Sequence, residues 1–319
     1  MGVDLIEKNI NGVSDVFGQQ YLFTIRYSHM EYIILDLEFN GTYSKNRHRF
    51  FNEIIEFGAV KLDEQLNIVE TFSELIAPQI SKKLNPHVSA LTHITIDELK
   101  DSKNTFSHVI SKFRKFLGDS VLMTWSNSDI LVLMENYRYF FGNDKLSFLK
   151  YYVNIQKYCQ RAVGNSDRAH QLGLSTCAEM LGITYENKQL HRAYNDAELT
   201  ALCFKALYDE ELLKGYIHTC DNEFYQRVTF KNYNICDLKD AHIDKKEMFI
   251  NCETCGKRAL RRSKWRLKNK SFRANFRCLR CRKDFEGRIT FKKHYDHVEV
   301  IKKTAELPQK EKQKPSVKA

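Results

Sequence analysis

Residues 32–41 read YIILDLEFNG, and this stretch limits the possible folds more than any other. Its apolar run Ile33, Ile34 and Leu35 reads as a buried strand. The run then ends in Asp36 and Glu38. Side chains alternate along a strand, so these two carboxylates share one face while Leu37 takes the other. An isolated pair of this kind usually marks a strand that has reached water. Two like charges held side by side repel unless a cation sits between them, so the other reading is a site for a divalent metal ion. The rest of the chain has to choose.

The surrounding pattern describes a sheet. NEIIEFGAVKL (52–62) and IVETFSELIAP (68–78) have strand-like spacing on either side of the turn-like DEQLN. Three strands on short connections predict an antiparallel meander. Helical spacing follows around 95–117, where Phe106, Val109, Ile110, Phe113, Phe116 and Leu117 precede a glycine stop. SVLMTW (120–125) and YYVNIQKY (151–158) are further strand candidates. Residues 128–142 read as a helix, with a strand as the alternative their apolar density also fits, 173–182 as a helix, and 195–215 as one long final helix closed by Gly215. Strands first and then alternating β and α give an α/β fold, a mixed sheet flanked by helices. Residues 216–248 have no clean period and read as a linker or packing extension.

Further carboxylates stand where such a sheet could use them. Asp129 follows the fourth strand candidate at the start of a helix. Asp196 lies in the first turn of the last helix, five residues after His191 in LHRAYNDAE. Each alone is weak, because an aspartate at a helix start is more often a cap or dipole partner. Their joint occurrence in this order is the informative observation.

LDLE on the first strand, NEIIEFGAV on the second, SNSD before a helix and HRAYNDA opening the last helix resemble the DEDDh branch of the DnaQ-like 3′–5′ exonucleases, over roughly residues 30–214. Within that superfamily, FGAVKL, LNPHVSALTHITIDEL and YVNIQKYCQ look most like the enhanced-RNAi group, which includes histone-messenger 3′ exonucleases and KapD-like proteins. The resemblance implies an RNase H-like fold, the catalytic set Asp36, Glu38, Asp129, His191 and Asp196, and single-stranded RNA as the favoured substrate, with DNA ends or a non-cutting binding role as alternatives. Four carboxylates can hold two Mg²⁺ or Mn²⁺ ions, which would clamp the scissile phosphate, activate water and stabilise the leaving 3′-oxygen. A histidine, with an ordinary pKa of about 6.5, suits the proton from that water. Where many relatives carry LTGIT this chain has His93. His93, Phe39 and Asn40 are the candidates for lining the terminal nucleotide, with packing the competing role for Phe39. KNRHRF (45–50) is either a phosphate-steering segment or a solvated loop.

The C-terminal part has a different character. From residue 241 onward 24 Lys and Arg face 9 Asp and Glu, while the first 240 residues carry a net charge of −5. Such asymmetry fits an acidic module with a basic arm that seeks a polyanion. Four of the nine cysteines form Cys252-x₂-Cys255 and Cys278-x₂-Cys281, separated by 22 residues. Two such knuckles predict one structural Zn²⁺ in a zinc ribbon over 249–303. His294 and His297 have ligand-like spacing, but four thiolates already complete the site. Between the knuckles lie ten Lys and Arg and no acidic residue, with Trp265, Phe272 and Phe276 interleaved. Basic side chains neutralise phosphates and exposed aromatics stack on bases. Phe276 is expected in the ribbon core and Trp265 is the candidate for exposure. An acidic protein or a ribosome is the competing partner.

The remaining cysteines read as reduced thiols, residues 1–29 as an N-terminal extension, and the lysine-rich 304–319 as a disordered tail. No apolar run nears the roughly 20 residues that span a bilayer, and a cytoplasmic location is expected.

Overall fold

In the computed structural model, residues 30–44, 48–164, 171–185 and 191–307 are described. The expected extension at 1–29 and the tail beyond Leu307 lie outside them. Strands β1 (Tyr32–Ser44), β2 (Arg49–Leu62) and β3 (Ile68–Leu75) form the antiparallel meander. Next come α1 (Pro86–Thr92), α2 (Ile96–Asp101), α3 (Phe106–Leu117), β4 (Val121–Thr124), α4 (Asn127–Phe141), β5 (Tyr151–Asn154), α5 (Ile155–Ala162), α6 (Leu174–Met180), α7 (Ala193–Ala206), α8 (Glu210–Lys214), β6 (His218–Thr219) and α9 (Asn222–Thr229). The sheet order is β3-β2-β1-β4-β5-β6, with β1, β4 and β5 mutually parallel.

Alternation along β1 sorts its side chains into two cores. Ile33, Leu35 and Leu37 face α3, α4 and the aromatics of α9, while Tyr32 and Ile34 face α5, α6 and α7. Asp36 and Glu38 continue the second row, so the carboxylates lie on the α7 side of the sheet.

Two expectations need correction. YYVNIQKY is a strand only to Asn154, whose side chain accepts from the Lys157 N–H at 3.0 Å and starts α5. The single helix expected over 195–215 is two, α7 and α8. Tyr158 occupies the break, its hydroxyl donating to Leu207 O at 2.8 Å and accepting from the Asp209 N–H at 2.8 Å, and Asp209 caps α8. Of the two readings of 216–248, linker or packing extension, the second holds, with the segment divided between the two cores. β6 pairs with β5, and Phe224 and Tyr225 of α9 enter the first core. Ile235 and Ile243 belong to a separate core further on.

Gly58 is the glycine on which the fold turns. It pairs with Asp36 in register, and a Cβ built there would lie 2.0 Å from backbone atoms of Ala193 and Tyr194. The start of α7 therefore rests directly on β2, which delivers Asp196 to the carboxylate face. Backbone cannot yield as a side chain can, so Gly58→Ala is expected to destabilise the protein by about 3 kcal/mol. Chemical denaturation measures this, and an unchanged midpoint would show that α7 does not depend on the contact.

The chain divides after Val228. In the second unit β7 (Tyr233–Asn234), β8 (Leu260–Arg261), β9 (Arg266–Lys268), β10 (Ser271–Arg277), β11 (Asp284–Lys293) and β12 (Val298–Glu306) form one antiparallel sheet. β12 carries ordered backbone three residues past the expected edge of the module. One face buries Phe272, Ala274, Phe276, Ile289 and Phe291 against Ile235, Ile243 and Ile250. Among the described residues no helix is long and apolar enough to cross a membrane.

Candidate metal centre and active site

The carboxylates of Asp36, Glu38 and Asp196 come together, with one oxygen of each within 4.8 Å of the others. Ligand oxygens of a magnesium ion bound at about 2.1 Å lie up to about 4.2 Å apart, so the three carboxylates are close to the reach of one ion. Asp36 and Glu38 arrive from alternate positions of β1, and Asp196 from the first turn of α7. Asp129 stands in the first turn of α4, buried, and its carboxylate accepts from the Leu37 N–H.

Electrostatics tie the four together. Burial, followed by the charges of Asp129, Asp196, Glu38 and Glu56, holds the Asp36 carboxyl well above the usual range. Glu38 is pushed up to about 8 by burial and then by Asp196, Glu56 and Asp129. Burial raises Asp129 to about 7 and also raises Asp196. A hard cation among hard oxygen donors relieves this repulsion, so the donor set fits Mg²⁺ or Mn²⁺.

His191 is exposed, with its main-chain N–H donating to Asp196 Oδ2 at 3.1 Å. Its φ of 65° turns the chain sharply just before α7. This links the histidine to the metal-facing carboxylate through the backbone and leaves the imidazole at the solvent side.

Two residues not assigned a role from sequence organise this corner. Glu56 lies opposite Glu38 in register and is almost wholly buried. It receives Arg192 Nε at 3.0 Å, Arg192 Nη2 at 2.8 Å and the Ala193 N–H at 3.1 Å. A carboxylate from β2 thus caps α7 from outside, since Arg192 at the cap position makes no capping bond itself. The one available signal was the acidic residue in IIEFG, standing inside an otherwise apolar strand.

The expected nucleotide-lining residues are placed differently. Asn40 is 1% exposed. Its amide donates to Lys83 O at 3.0 Å and accepts from the Asn85 N–H at 2.9 Å. Asn40 therefore staples the 78–86 loop to β1 and is not free for substrate. Glu53 does the same from β2, accepting the N–H groups of Gln79, Ile80 and Ser81. Phe39 packs against the first core. His93 is exposed but ends α1 with φ of 59°, a conformation that glycine adopts freely. Of KNRHRF, residues 45–47 lie outside the described residues, and Arg49 is paired with Glu135 at 3.1 Å.

In the second unit the sulfurs of Cys252, Cys255, Cys278 and Cys281 lie within 4.8 Å of one another, and Cys255 and Cys278 are 3.6 Å apart. Zn–S bonds of about 2.3 Å put tetrahedral sulfurs about 3.8 Å apart, so the cluster fits zinc. The knuckles repeat each other. Cys252 N–H donates to Lys257 O and Cys278 N–H to Lys283 O, and the turns pass through positive φ at Gly256 and Arg282. His294 and His297 stack on each other outside this group. Trp265, expected to be exposed, packs edge-on against Phe276 at 5.6 Å, and Phe272 and Phe276 are buried. All three aromatics serve the core.

A cluster of carboxylates suited to a metal ion, on the central strand β1 of a mixed α/β sheet and on α7 packed against it, defines the first unit. The profile of the Exonuclease family (RNase_T) matches residues 33–204. The chain belongs to that family. It is 30% identical over 204 residues to the DNA polymerase III PolC-type protein of Clostridium perfringens, covering 63% of this chain and 13% of that protein. It is 36% identical over 110 residues to the probable 3′-5′ exonuclease KapD of Bacillus subtilis, covering 33% of this chain and 51% of KapD. With human 3′-5′ exoribonuclease 1 it shares 29% over 173 residues, covering 50% of this chain and 48% of that one. The chain thus spans about half or less of these relatives. Among solved structures, the nuclease domain of 3′hExo, described as a DEDDh family member bound to rAMP, aligns with a TM-score of 0.47 and 24% identity, over 56% of this chain and 90% of that one.

Proposed function

We propose that the chain is a 3′–5′ exoribonuclease that removes nucleotides from single-stranded RNA using divalent Mg²⁺ or Mn²⁺, with the zinc-holding second unit helping to bind the strand. The observation that carries this is the meeting of Asp36, Glu38 and Asp196 beside buried Asp129, with His191 tied to Asp196. Divalent ions held by these carboxylates supply Lewis-acid activation of water and of the leaving oxygen. The chain's own part is positional. β1 fixes two carboxylates, Glu56 fixes the start of α7 and hence Asp196, and His191 at the solvent edge accepts the proton of the attacking water. RNA is favoured by the similarity to 3′-5′ exoribonuclease 1. Similarity to a PolC-type polymerase favours the second reading, action on DNA ends.

The test uses 5′-labelled single-stranded RNA and DNA of one sequence with Mg²⁺, Mn²⁺ or EDTA. A metal-dependent ladder that shortens from the 3′ end faster on RNA is the expected result. A faster DNA ladder selects the second reading, and no ladder on either strand rejects both.

A further inference from the structure

The outward face of the second unit's sheet carries an unusual row. Arg266 of β9 pairs with Arg273 of β10, Arg273 with Arg288 of β11, and Arg288 with Lys303 of β12. These four cations stand directly abreast across four strands, spanning about 14 Å at the usual strand spacing. Like charges in register destabilise a sheet. One carboxylate holds the row together. Glu286, its side chain 13% exposed, receives Arg288 at 2.8 Å, Arg273 at 3.3 Å and Arg266 at 3.5 Å. Burial pushes its carboxyl up, but the bond from Arg288 and the charges of Arg288 and Arg273 hold it below the usual range. Three guanidiniums against one carboxylate leave the patch positive.

The row also has an unfilled bond. Arg273 Nε is buried with no partner, as is Asn275 Oδ1, two residues along on the same face. Buried polar atoms nearly always find partners. Beside it Arg266, 64% exposed, presents to solvent the guanidinium fork that can take two oxygens of a phosphate.

Resting on the reading that the chain acts on nucleic acid, we infer that the row Arg266–Arg273–Arg288–Lys303 is the binding site for the phosphodiester backbone of a single strand. Because Trp265, Phe272 and Phe276 are committed to the opposite side of the sheet, the row contacts phosphates and reads no base. It holds RNA and DNA alike, and substrate choice falls to the first unit.

Binding of labelled single-stranded RNA and DNA to the full chain is measured in EDTA, where cleavage is silent, at a series of salt concentrations. Arg266 is 64% exposed and Lys303 is exposed, so Arg266→Gln with Lys303→Gln leaves the fold intact. Two lost phosphate contacts lower the slope of log K against log salt by about 1.4 on either strand. Lys246→Gln, the same kind of charge change at an exposed position off the sheet, leaves it unchanged. With Mg²⁺, the double variant raises KM on long RNA without altering turnover of short oligonucleotides. Arg273→Gln, accepted only with normal zinc content, gives a second reading of the same slope. A wild-type slope in the double variant overturns the assignment. So does intact RNA binding with lost affinity for polyglutamate, which would mark an acidic protein as the partner. Steep, row-dependent binding without any cleavage by the wild type would uphold the row and reject the nuclease reading instead.

Discussion

Asp36→Asn is expected to lower the rate of 3′-end hydrolysis by about 10³-fold or more while leaving RNA affinity in EDTA nearly unchanged. The magnitude follows from the several kcal/mol of charge stabilisation that metal centres supply, at one factor of ten per 1.36 kcal/mol. Asp36 is the natural target because Asp129, Asp196, Glu38 and Glu56 all raise its carboxyl in addition to burial. The same fact gives the variant a signature that damage to the fold could not produce. Without metal, removing the charge relieves repulsion, so the variant should melt above wild type, by about 2–4 °C for each kcal/mol relieved in a unit of this size. With metal the order should reverse. Wild type gains stability by mass action, about 2.7 kcal/mol at a hundred times Kd, and the variant gains much less. Activity within tenfold of wild type would remove Asp36 from the centre. A lower melting temperature in EDTA would mean that the residue serves folding.

Cys278→Ser should have the larger structural effect. The second unit buries a small core around Phe272, Phe276, Ile289 and Phe291, and units of this size commonly need a metal or a disulfide to fold. Structural zinc contributes about 10–16 kcal/mol of apparent binding free energy in zinc-finger peptides. A serine in place of buried Cys278 opens the thiolate set. Zinc release should follow, seen with a chromogenic chelator, together with loss of the second unit's β signal. The first unit has cores of its own and should keep its thermal transition. On long RNA KM should rise, whereas very short oligonucleotides should turn over at close to the wild-type rate. Equal losses on both substrates would show that the first unit needs the second in order to fold.

Much of the centre was legible in advance because local rules write it. Alternation along β1 places Asp36 and Glu38 on one face whatever the rest of the chain does. Two CxxC pairs bring four thiolates within reach of one ion, and the spacing of Phe106, Val109, Ile110 and Phe113 selects the buried face of α3. Other features were misread because a distant partner overrides the local pattern. An asparagine beside the acidic end of β1 looks like a ligand for substrate until Lys83 and Asn85 occupy both ends of its amide. A helical run from 195 to 215 looks continuous until Tyr158, almost fifty residues earlier in the chain, inserts its hydroxyl at Leu207 and Asp209.

The chain's order of residues alone determined the mixed sheet, the acidic end of its first strand, the four-cysteine cluster and the basic C-terminal part, since each is a property of periodicity, spacing or composition. Tertiary structure decided which of those residues do the positioning. The Glu56–Arg192 pair joins residues 136 positions apart, the contact at Gly58 depends on how closely α7 lies on β2, and the row from Arg266 to Lys303 exists only in the pairing register of four strands. Register and approach distance are set by packing across the whole unit. No local pattern records them.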